Sequence, residues 1–200
     1  MNNEPDGMSR IPSAGALMHD HNEANGATGR PLVNIRCATA ADVQALTRLG
    51  RRIHAETRFR AYDYDMERVA ASLNTIVDSS HGDSAMHCAF LAEDEQREVS
   101  GILIGALERP LFSEQTVAKV IVYYVFPERR MRGTGRKLLA AFRKWGECRS
   151  AFEICVGINS AAYVMNTHRF LTRIGFEPTG GNYSVPAKSV RPPWRQPWDD

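Results

Sequence analysis

A strand-like segment that runs through a glycine turn into an amphipathic helix constrains this chain more than any other feature. The segment TVAKVIVYYVF (116–126) is rich in β-branched and aromatic residues, which favour a strand. The segment GRKLLAAFRKWGE (135–147) follows after only eight residues, and its apolar positions recur at helical spacing. A chain with this succession must place a helix start directly beside the end of a strand. Four side chains of the helix are predicted to face inward: Leu138, Leu139, Phe142 and Trp145.

The rest of the chain alternates between the same two kinds of segment. Strands are predicted over 32–39, 86–94, 98–108, 116–126 and 151–159, with a final strand or hairpin over 176–185. Helices are predicted over 41–57, 66–77, 135–147 and 160–174. The polar turn at 94–98 indicates a hairpin, and Thr39 with Asp42 forms a capping box before the first helix. This order predicts an α+β fold, a mixed sheet with helices against its faces.

Composition limits the classes of protein that fit. At 43% hydrophobic residues, the 200-residue chain can bury one sizeable core. Its formal charge of +2 argues against a protein built to coat nucleic acid. The apolar segments fall short of the roughly 18 residues that span a bilayer, and the start of the chain lacks a signal-peptide core, so a cytoplasmic location is expected. The four cysteines lie far apart and match no zinc spacing, so no metal is expected.

The two ends differ from the middle of the chain. Residues 1–30 are rich in Asn, Gly, Ser, Pro and Ala without sustained periodicity, and they are predicted to be a disordered extension. Residues 187–200 form a tail rich in Pro and Trp, in which the prolines disfavour a regular element. One domain is therefore predicted over 31–186.

The glycine turn has the chemistry of an anion site. The helix start at 135 presents unpaired backbone N–H groups and the positive end of its dipole. Glycines at 133 and 135 would let a phosphate oxygen approach those amides. Neither the phosphate loop GxxxxGK[ST] nor the dinucleotide fingerprint GxGxxG occurs at this turn, because Leu138 stands where the latter needs glycine. The pattern that this turn does contain is Arg130-x-x-Gly133-x-Gly135.

This sequence pattern resembles the pyrophosphate-binding motif Q/R-x-x-G-x-G/A of the GCN5-related N-acetyltransferase (GNAT) family. Val125-x-Pro127 before the motif and RFLTRIGFEP (169–178) near the end also resemble family segments, and the likeness covers about residues 32–186. The resemblance implies an acyl-CoA N-acyltransferase fold, with a twisted, mostly antiparallel sheet that splays between its fourth and fifth strands. It also implies acetyl-CoA as the acyl donor and an amine as the acceptor.

The resemblance assigns the cofactor to the end of the fourth strand and the turn after it. Backbone of Tyr124 and Val125 would pair with the pantetheine arm, and a cation among Arg129, Arg130 and Arg136 would reach the 3′-phosphate. Asn159 and Asn166 would hydrogen-bond the cofactor. Backbone amides that would hold the pyrophosphate belong to Arg132, Gly133, Thr134, Gly135, Arg136 and Lys137.

The groups that would handle protons stay open at this point. Many relatives carry a tyrosine acid four residues before the closing glycine, where this chain has Leu171. Tyr124, Tyr163 and Tyr183 are the alternative acids. Glu108 is a candidate base because the fourth strand carries no carboxylate. The loop over 54–65 lies where relatives shape the acceptor pocket. Its candidate substrate residues are His54, Glu56, Arg58 and Tyr62, of which His54 and Glu56 are also candidate bases.

Three classes of function fit these observations. The leading hypothesis is an acetyl-CoA-dependent N-acetyltransferase acting on a small amine or a protein amino group. A second is a GNAT-like CoA-binding or protein-interaction module with weakened catalysis, which the missing tyrosine and strand carboxylate favour. Nucleic-acid binding is the third and minor hypothesis, since it explains the basic turn but not its glycines. No membrane is expected as a partner, and a nucleic acid is disfavoured. The oligomeric state is open, with a homodimer as one alternative, and the acceptor is not specified.

Overall fold

A computed structural model of the chain describes residues 32–184, apart from residues 83, 131, 132, 159, 161 and 162. The extension at 1–30 and the tail at 187–200 lie outside the described residues. The strands are β1 Asn34–Cys37, β2 His87–Glu93, β3 Val99–Glu108, β4 Val117–Val125 and β5 Glu153–Cys155. The α-helices are α1 Val43–Ala55, α2 Met66–Asp78, α3 Thr134–Glu147 and α4 Val164–Arg173. Short 3-10 turns occupy Ala40–Asp42, Arg58–Ala61 and Pro127–Arg129.

The five strands form one sheet in the order β1-β2-β3-β4-β5. The first four are antiparallel neighbours, whereas β4 and β5 run parallel. The parallel pairing covers only Val117 to Lys119 of β4 against Glu153 to Cys155 of β5. Beyond Lys119, β4 stays paired with β3 as far as Val125. The sheet therefore splays between β4 and β5, and the predicted fold class is confirmed.

One residue of β4 has no partner in the ladder with β3. Val120 lies opposite Gly105 and Val122 lies opposite Ile104, so Ile121 is the extra residue of a β-bulge. Its side chain is exposed.

Each face of the sheet carries its own apolar core. On one face, α3 buries the four side chains that the sequence predicted to face inward, and Leu171 of α4 joins them against Phe90 and Leu103. On the other face, Val43 and Leu46 of α1 and Leu73 and Val77 of α2 pack over Leu91, Ile102 and Ile104. Helices thus cover both faces.

Helix α3 comes unusually close to the sheet because glycines lie beneath it. A Cβ at Gly105 would overlap the ring of Phe142. A Cβ at Gly101 would lie 3.0 Å from Leu138 and 3.1 Å from Thr134. Gly146 of α3 makes the same kind of approach, since a Cβ there would lie 2.6 Å from Ile154. Larger residues at these positions would push α3 away from the sheet.

A polar cluster ties the start of α1 to the sheet. Arg36 of β1 donates to both carboxylate oxygens of Asp42 at 2.8 Å and to Glu93 of β2 at 2.7 Å. The Asp42 carboxylate also accepts from the Thr39 amide at 2.7 Å. The predicted capping box is thereby confirmed, and the hydrogen bond from Arg36 lowers the pKa of Asp42 to about 2.

The structure corrects the secondary structure that was predicted after α4. Residues 176–184 form no strand, so the final strand or hairpin predicted there is wrong for its described part. Both β5 and α4 are shorter than predicted, whereas α1, α2, α3 and the other strands agree within a few residues. A cleft of about 1290 Å³ lies among β5, α4 and residues 176–184.

Three further findings concern the described residues alone. None of their helices combines the length and the apolar character that crossing a membrane requires. No group of three or more His, Cys, Asp or Glu side chains among them could hold a metal ion. Their four cysteines are free thiols.

Candidate functional site

The turn before α3 ends in a left-handed glycine. Gly133 has φ of 79°, which favours glycine, and no described residue other than its chain neighbours has an atom within 4 Å of the place its Cβ would take. The first intrahelical hydrogen bond of this end is donated by the Lys137 amide to the Gly133 carbonyl at 3.0 Å. The preceding amides, from Gly133 to Arg136, have no carbonyl one turn earlier in α3 to bond. Together they form an electropositive helix start.

Lys137 is engaged apart from its predicted role, and Gly135 has a packing role that the sequence did not predict. Lys137 uses its amide within α3, and its ammonium group donates to the Val33 carbonyl at 2.7 Å, so the structure does not support Lys137 in an anion cradle. Gly135 is required by packing, because a Cβ there would overlap the hydroxyl of Tyr123. The predicted role of Arg132 lies outside the described residues.

Thr134 is a polar side chain buried at the same helix start. Only 1% of the residue is exposed, and its hydroxyl oxygen has no hydrogen-bond partner in the described part of the chain. Buried hydroxyls are normally satisfied, and no described residue satisfies the donor or the acceptor of this group.

The opening of the splay is bridged by three residues after α1. The Glu56 carboxylate accepts a hydrogen bond from the Tyr124 hydroxyl on β4. Two residues later, the Arg58 amide donates to the Ser160 carbonyl, which follows β5, at 2.9 Å. Thr57 between them is buried, and its hydroxyl donates to the His54 carbonyl at 3.1 Å. The bridge at 56–58 therefore contacts the chain on both sides of the splay.

Tyr124 keeps its proton at neutral pH. Burial raises its pKa well above the ordinary tyrosine value, and the hydrogen bond to Glu56 raises the pKa further. Its ring packs edge-on against Phe126, with centroids 5.2 Å apart. The structure thus brings together a predicted catalytic residue, Tyr124, and a predicted substrate residue, Glu56, and gives them a protonated hydroxyl beside a carboxylate.

Arg52 supports this pair, and the sequence analysis did not identify it. Its guanidinium donates to Glu56 at 3.2 Å and to both oxygens of Glu128 at 3.1 Å. It also lies over the Phe126 ring, 4.8 Å from the centroid. The spacing of four residues between Arg52 and Glu56 on one helix face was the available signal. Hydrogen bonding to Arg52 lowers the pKa of Glu128.

Arg130 links the two sides of the splay on its own. Its Nε donates to the Val125 carbonyl at 3.1 Å, and its guanidinium lies 4.2 Å from the centroid of the Tyr163 ring. Val125 ends β4, whereas Tyr163 immediately precedes α4 and has a left-handed backbone. The carbonyl predicted to pair with a ligand is therefore occupied by an internal donor in this structure.

The remaining predicted site residues lie apart from the Tyr124–Glu56 pair. Glu108 lies at the other end of the sheet, opposite Val117, roughly 20 Å along β4 from Tyr124, and it pairs with Lys119 at 3.0 Å. The structure therefore does not support Glu108 as a base.

Three other predicted site residues have their described surroundings away from the Tyr124–Glu56 pair. His54 packs its ring against Tyr64 at 5.2 Å, and Tyr62 is exposed beside Phe59. Asn166 is exposed on α4. Asn159 lies outside the described residues.

Comparison with known proteins identifies similar chains. The model of the acetyltransferase (GNAT) family matches residues 49–176. Among solved structures, AAC(6')-Iy in complex with a bisubstrate analogue, CoA-S-monomethyl-acetylneamine, has a TM-score of 0.61 at 16% identity, covering 78% of this chain and 99% of that one. The aminoglycoside N-acetyltransferase AAC(6')-Iy in complex with CoA has a TM-score of 0.61 at 15% identity, over 82% and 100% of the two chains.

A structure from another source shows the same level of similarity. A transcriptional regulator from Bacillus halodurans C-125 has a TM-score of 0.61 at 16% identity, covering 77% of this chain and 99% of that one. At these identities the likeness is one of fold. No curated protein sequence matches the chain.

Proposed function

Because the chain belongs to the acetyltransferase (GNAT) family, we propose that it is an acetyl-CoA-dependent N-acetyltransferase that acetylates an amine of a small molecule or protein. One observation carries the proposal. The splay between β4 and β5 opens beside the electropositive start of α3, and a protonated tyrosine paired with a carboxylate lies at the same opening.

The residues at the turn fit the phosphates of a CoA-type ligand. The amides from Gly133 to Arg136 have no intrahelical acceptor, and the space beside Gly133 is open. The Thr134 hydroxyl is a buried polar group that lacks a partner among the described residues. The cationic side chains of Arg130 and Arg136 add charge for an outlying phosphate. When bound, acetyl-CoA supplies an acetyl group activated as a thioester.

Arg130 would have to move for the end of β4 to pair with an extended ligand. The Val125 carbonyl already accepts from Arg130 Nε. Releasing that bond would free both the carbonyl and the guanidinium. The guanidinium could then bind a phosphate, so the lost contact is replaced.

Glu56 and Tyr124 can move protons without a net gain or loss. An amine is an ammonium ion at neutral pH and must lose a proton before it attacks. Glu56 is placed to take that proton, and Tyr124 is placed to give one to the departing thiolate as the carbon–sulfur bond breaks and the carbon–nitrogen bond forms. The hydrogen bond between the two side chains then returns the proton from Glu56 to Tyr124. The nitrogen of the new amide releases its second proton to solvent, which is the one proton that the reaction yields overall.

A CoA-binding module with weakened catalysis is the second candidate. Leu171 stands where many relatives carry the tyrosine acid, and it is only 7% exposed within the core beside α3. Leucine at this position contributes packing and no proton. The module remains a candidate unless another acid, such as Tyr124, replaces the usual one.

Ligand-induced stabilisation separates these candidates from a protein that uses no CoA. We expect acetyl-CoA to raise the melting midpoint, because a ligand that binds only the folded state stabilises it. The variant Arg136→Glu should lose that shift, whereas Lys144→Glu, the same charge change at the other end of α3, should keep it. An equal shift in both variants would mean that CoA does not bind at the start of α3.

Thiol release with a panel of amines then tests catalysis. We expect Tyr124→Phe and Glu56→Gln each to lower kcat by about 100-fold, the usual size of a lost proton-transfer group. Both should keep the melting shift with acetyl-CoA. Full activity in both variants would show that the pair does not carry protons, and a shift without thiol release in the unaltered protein would favour the module.

A further inference from the structure

The segment that forms the bridge is strongly basic. Residues 43–62 contain five arginines and one carboxylate, Glu56. The arginines are Arg48, Arg51, Arg52, Arg58 and Arg60. Such a run is an ordinary solvated surface in many proteins, so its meaning depends on where the fold places it.

The fold places residues 52–58 of this segment at the opening of the splay. Glu56 contacts Tyr124 on one side, and the Arg58 amide contacts Ser160 on the other. Arg52 reaches Phe126 at the end of β4, and Arg130 approaches from the following turn. An acceptor that approaches the Tyr124–Glu56 pair must therefore pass close to several guanidinium groups.

The carboxylates near the opening are already engaged. Glu56 accepts from Tyr124 and Arg52, and Glu128 accepts from both terminal nitrogens of Arg52. Asp65 accepts from the Arg68 amide at 3.0 Å and caps α2. Among the residues whose contacts place them at the opening, the three arginines Arg52, Arg58 and Arg130 outnumber the two carboxylates Glu56 and Glu128. The opening therefore carries a net positive charge, with the Glu56 carboxylate beside Tyr124.

We propose that the amine acceptor carries an anionic group, a carboxylate or a phosphate, separated from its amine. Glu56 would attract the ammonium end, and the surrounding guanidinium groups would bind the anionic end, for which their planar donors are suited. A polycation would meet repulsion at the same opening. This inference rests on the proposed function and adds the substrate class to it.

Matched pairs of amines test the charge preference directly. Thiol release is measured with 4-aminobutyrate against 4-aminobutyramide and with O-phosphoethanolamine against ethanolamine, and spermidine serves as the polycation. We expect an anionic member to have a kcat/KM about tenfold above its neutral partner and above spermidine. The pair with the larger ratio identifies carboxylate or phosphate. Raising the salt concentration should raise KM for the anionic amine and should not raise KM for its partner without the anionic group, which is a cation that the same field repels.

A charge reversal links the preference to the basic segment. Arg60→Glu should lower kcat/KM for the preferred anionic amine by about five- to tenfold and reduce the difference from spermidine. Arg143→Glu makes the same change on α3, across the sheet, and should have no such effect.

The outcomes distinguish this inference from the proposed function. If acetyl-CoA does not shift the melting midpoint, the proposed function itself fails, and the substrate class with it. If acetyl-CoA binds but the protein prefers the neutral amines or spermidine, or acetylates none of the anionic amines, the substrate class is wrong while the cofactor assignment stands.

Discussion

The two faces of the sheet are held by different kinds of contact. On the α3 face, the helix lies against glycines of β3, and apolar atoms meet with no room for an added methyl group. On the α1 face, aliphatic side chains form a core whose margins are tied by ion pairs, Arg36 with Asp42 and Glu93 at one end of α1 and Arg52 with Glu56 and Glu128 at the other.

The difference separates two tasks. Steric contact fixes the start of α3, and with it the electropositive turn, at one distance from β4, because close-packed interiors deform little. Ion pairs between partly exposed side chains tolerate exchange of partners and respond to pH and salt. The α3 face thus suits a site for an unvarying ligand, and the α1 face suits a site whose specificity can change.

The largest expected effect is on the α3 face at Gly105. Gly105→Ala places a methyl group into the ring of Phe142, a fully buried side chain, and should lower the free energy of unfolding by about 3 kcal/mol. Urea unfolding measures the change. Gly181→Ala is the control, since its Cβ would meet the exposed Tyr183 at an ordinary 3.6 Å. Equal stability of the two variants would contradict the steric contrast between the faces.

Gly135 tests the same contact where it reaches the candidate site. Gly135→Ala should cost about 2 kcal/mol, because the new methyl group overlaps the Tyr123 hydroxyl. The double variant with Tyr123→Phe should recover most of the loss, since the next ring atom lies 3.4 Å away. Absence of rescue in urea unfolding would mean that the backbone of the turn, and not the Tyr123 hydroxyl, requires glycine.

The α1 face should respond to pH through Asp42. Its pKa of about 2, lowered mainly by Arg36, lies below the ordinary value of 3.8 that it regains on unfolding. The contribution is therefore complete well above pH 3.8 and is lost as the pH falls toward 2. Asp42→Asn should cost about 1 to 2 kcal/mol at pH 7 and nothing further in acid, so the two stability curves converge below pH 3. Parallel curves would show that Asp42 titrates alike in both states.

The smallest effect is expected at Glu128, in the exposed part of the ion pairs. Glu128→Gln should leave the urea midpoint unchanged, because exposed pairs contribute little to stability. It should still strengthen the positive field beside Arg52 and raise the salt dependence of acceptor binding. A clear loss of stability would show that the Arg52 pairs are structural and would weaken the contrast between the two faces.

Much of the fold was predictable from local residue patterns. Periodicity located α1, α2 and α3, and runs of β-branched and aromatic residues located β2, β3 and β4, because both signals lie within the residues of each element. The strand expected over 151–159 shortens to Glu153–Cys155 because β4 turns away and leaves no partner. Strand pairing at 176–185 would also depend on a distant partner, which residue pattern alone does not specify.

The candidate site was predictable in part. The sequence pattern Arg130-x-x-Gly133-x-Gly135 is local, and it identified the turn before α3 as a candidate anion site. The contact between Glu56 and Tyr124 joins residues 68 positions apart, so no spacing rule could find it. The reason for Gly135 was also hidden, since the residue it accommodates, Tyr123, belongs to another element.

The unpaired residue Ile121 decides which tyrosine reaches the carboxylate. Before it, the even-numbered residues Ala118 and Val120 belong to the α3 core, and after it the odd-numbered Tyr123 and Val125 do. Halfway along the strand, the bulge thus changes the residues that face α3 from the even-numbered to the odd-numbered ones. If the strand kept Ile121 and alternated regularly past Val120, Tyr123 would face Glu56 and Tyr124 would turn toward the glycine turn. Deleting Ile121 would remove the bulge and leave both tyrosines on their present faces. One extra residue in a strand thereby selects the hydroxyl group of the site, although its own side chain is exposed.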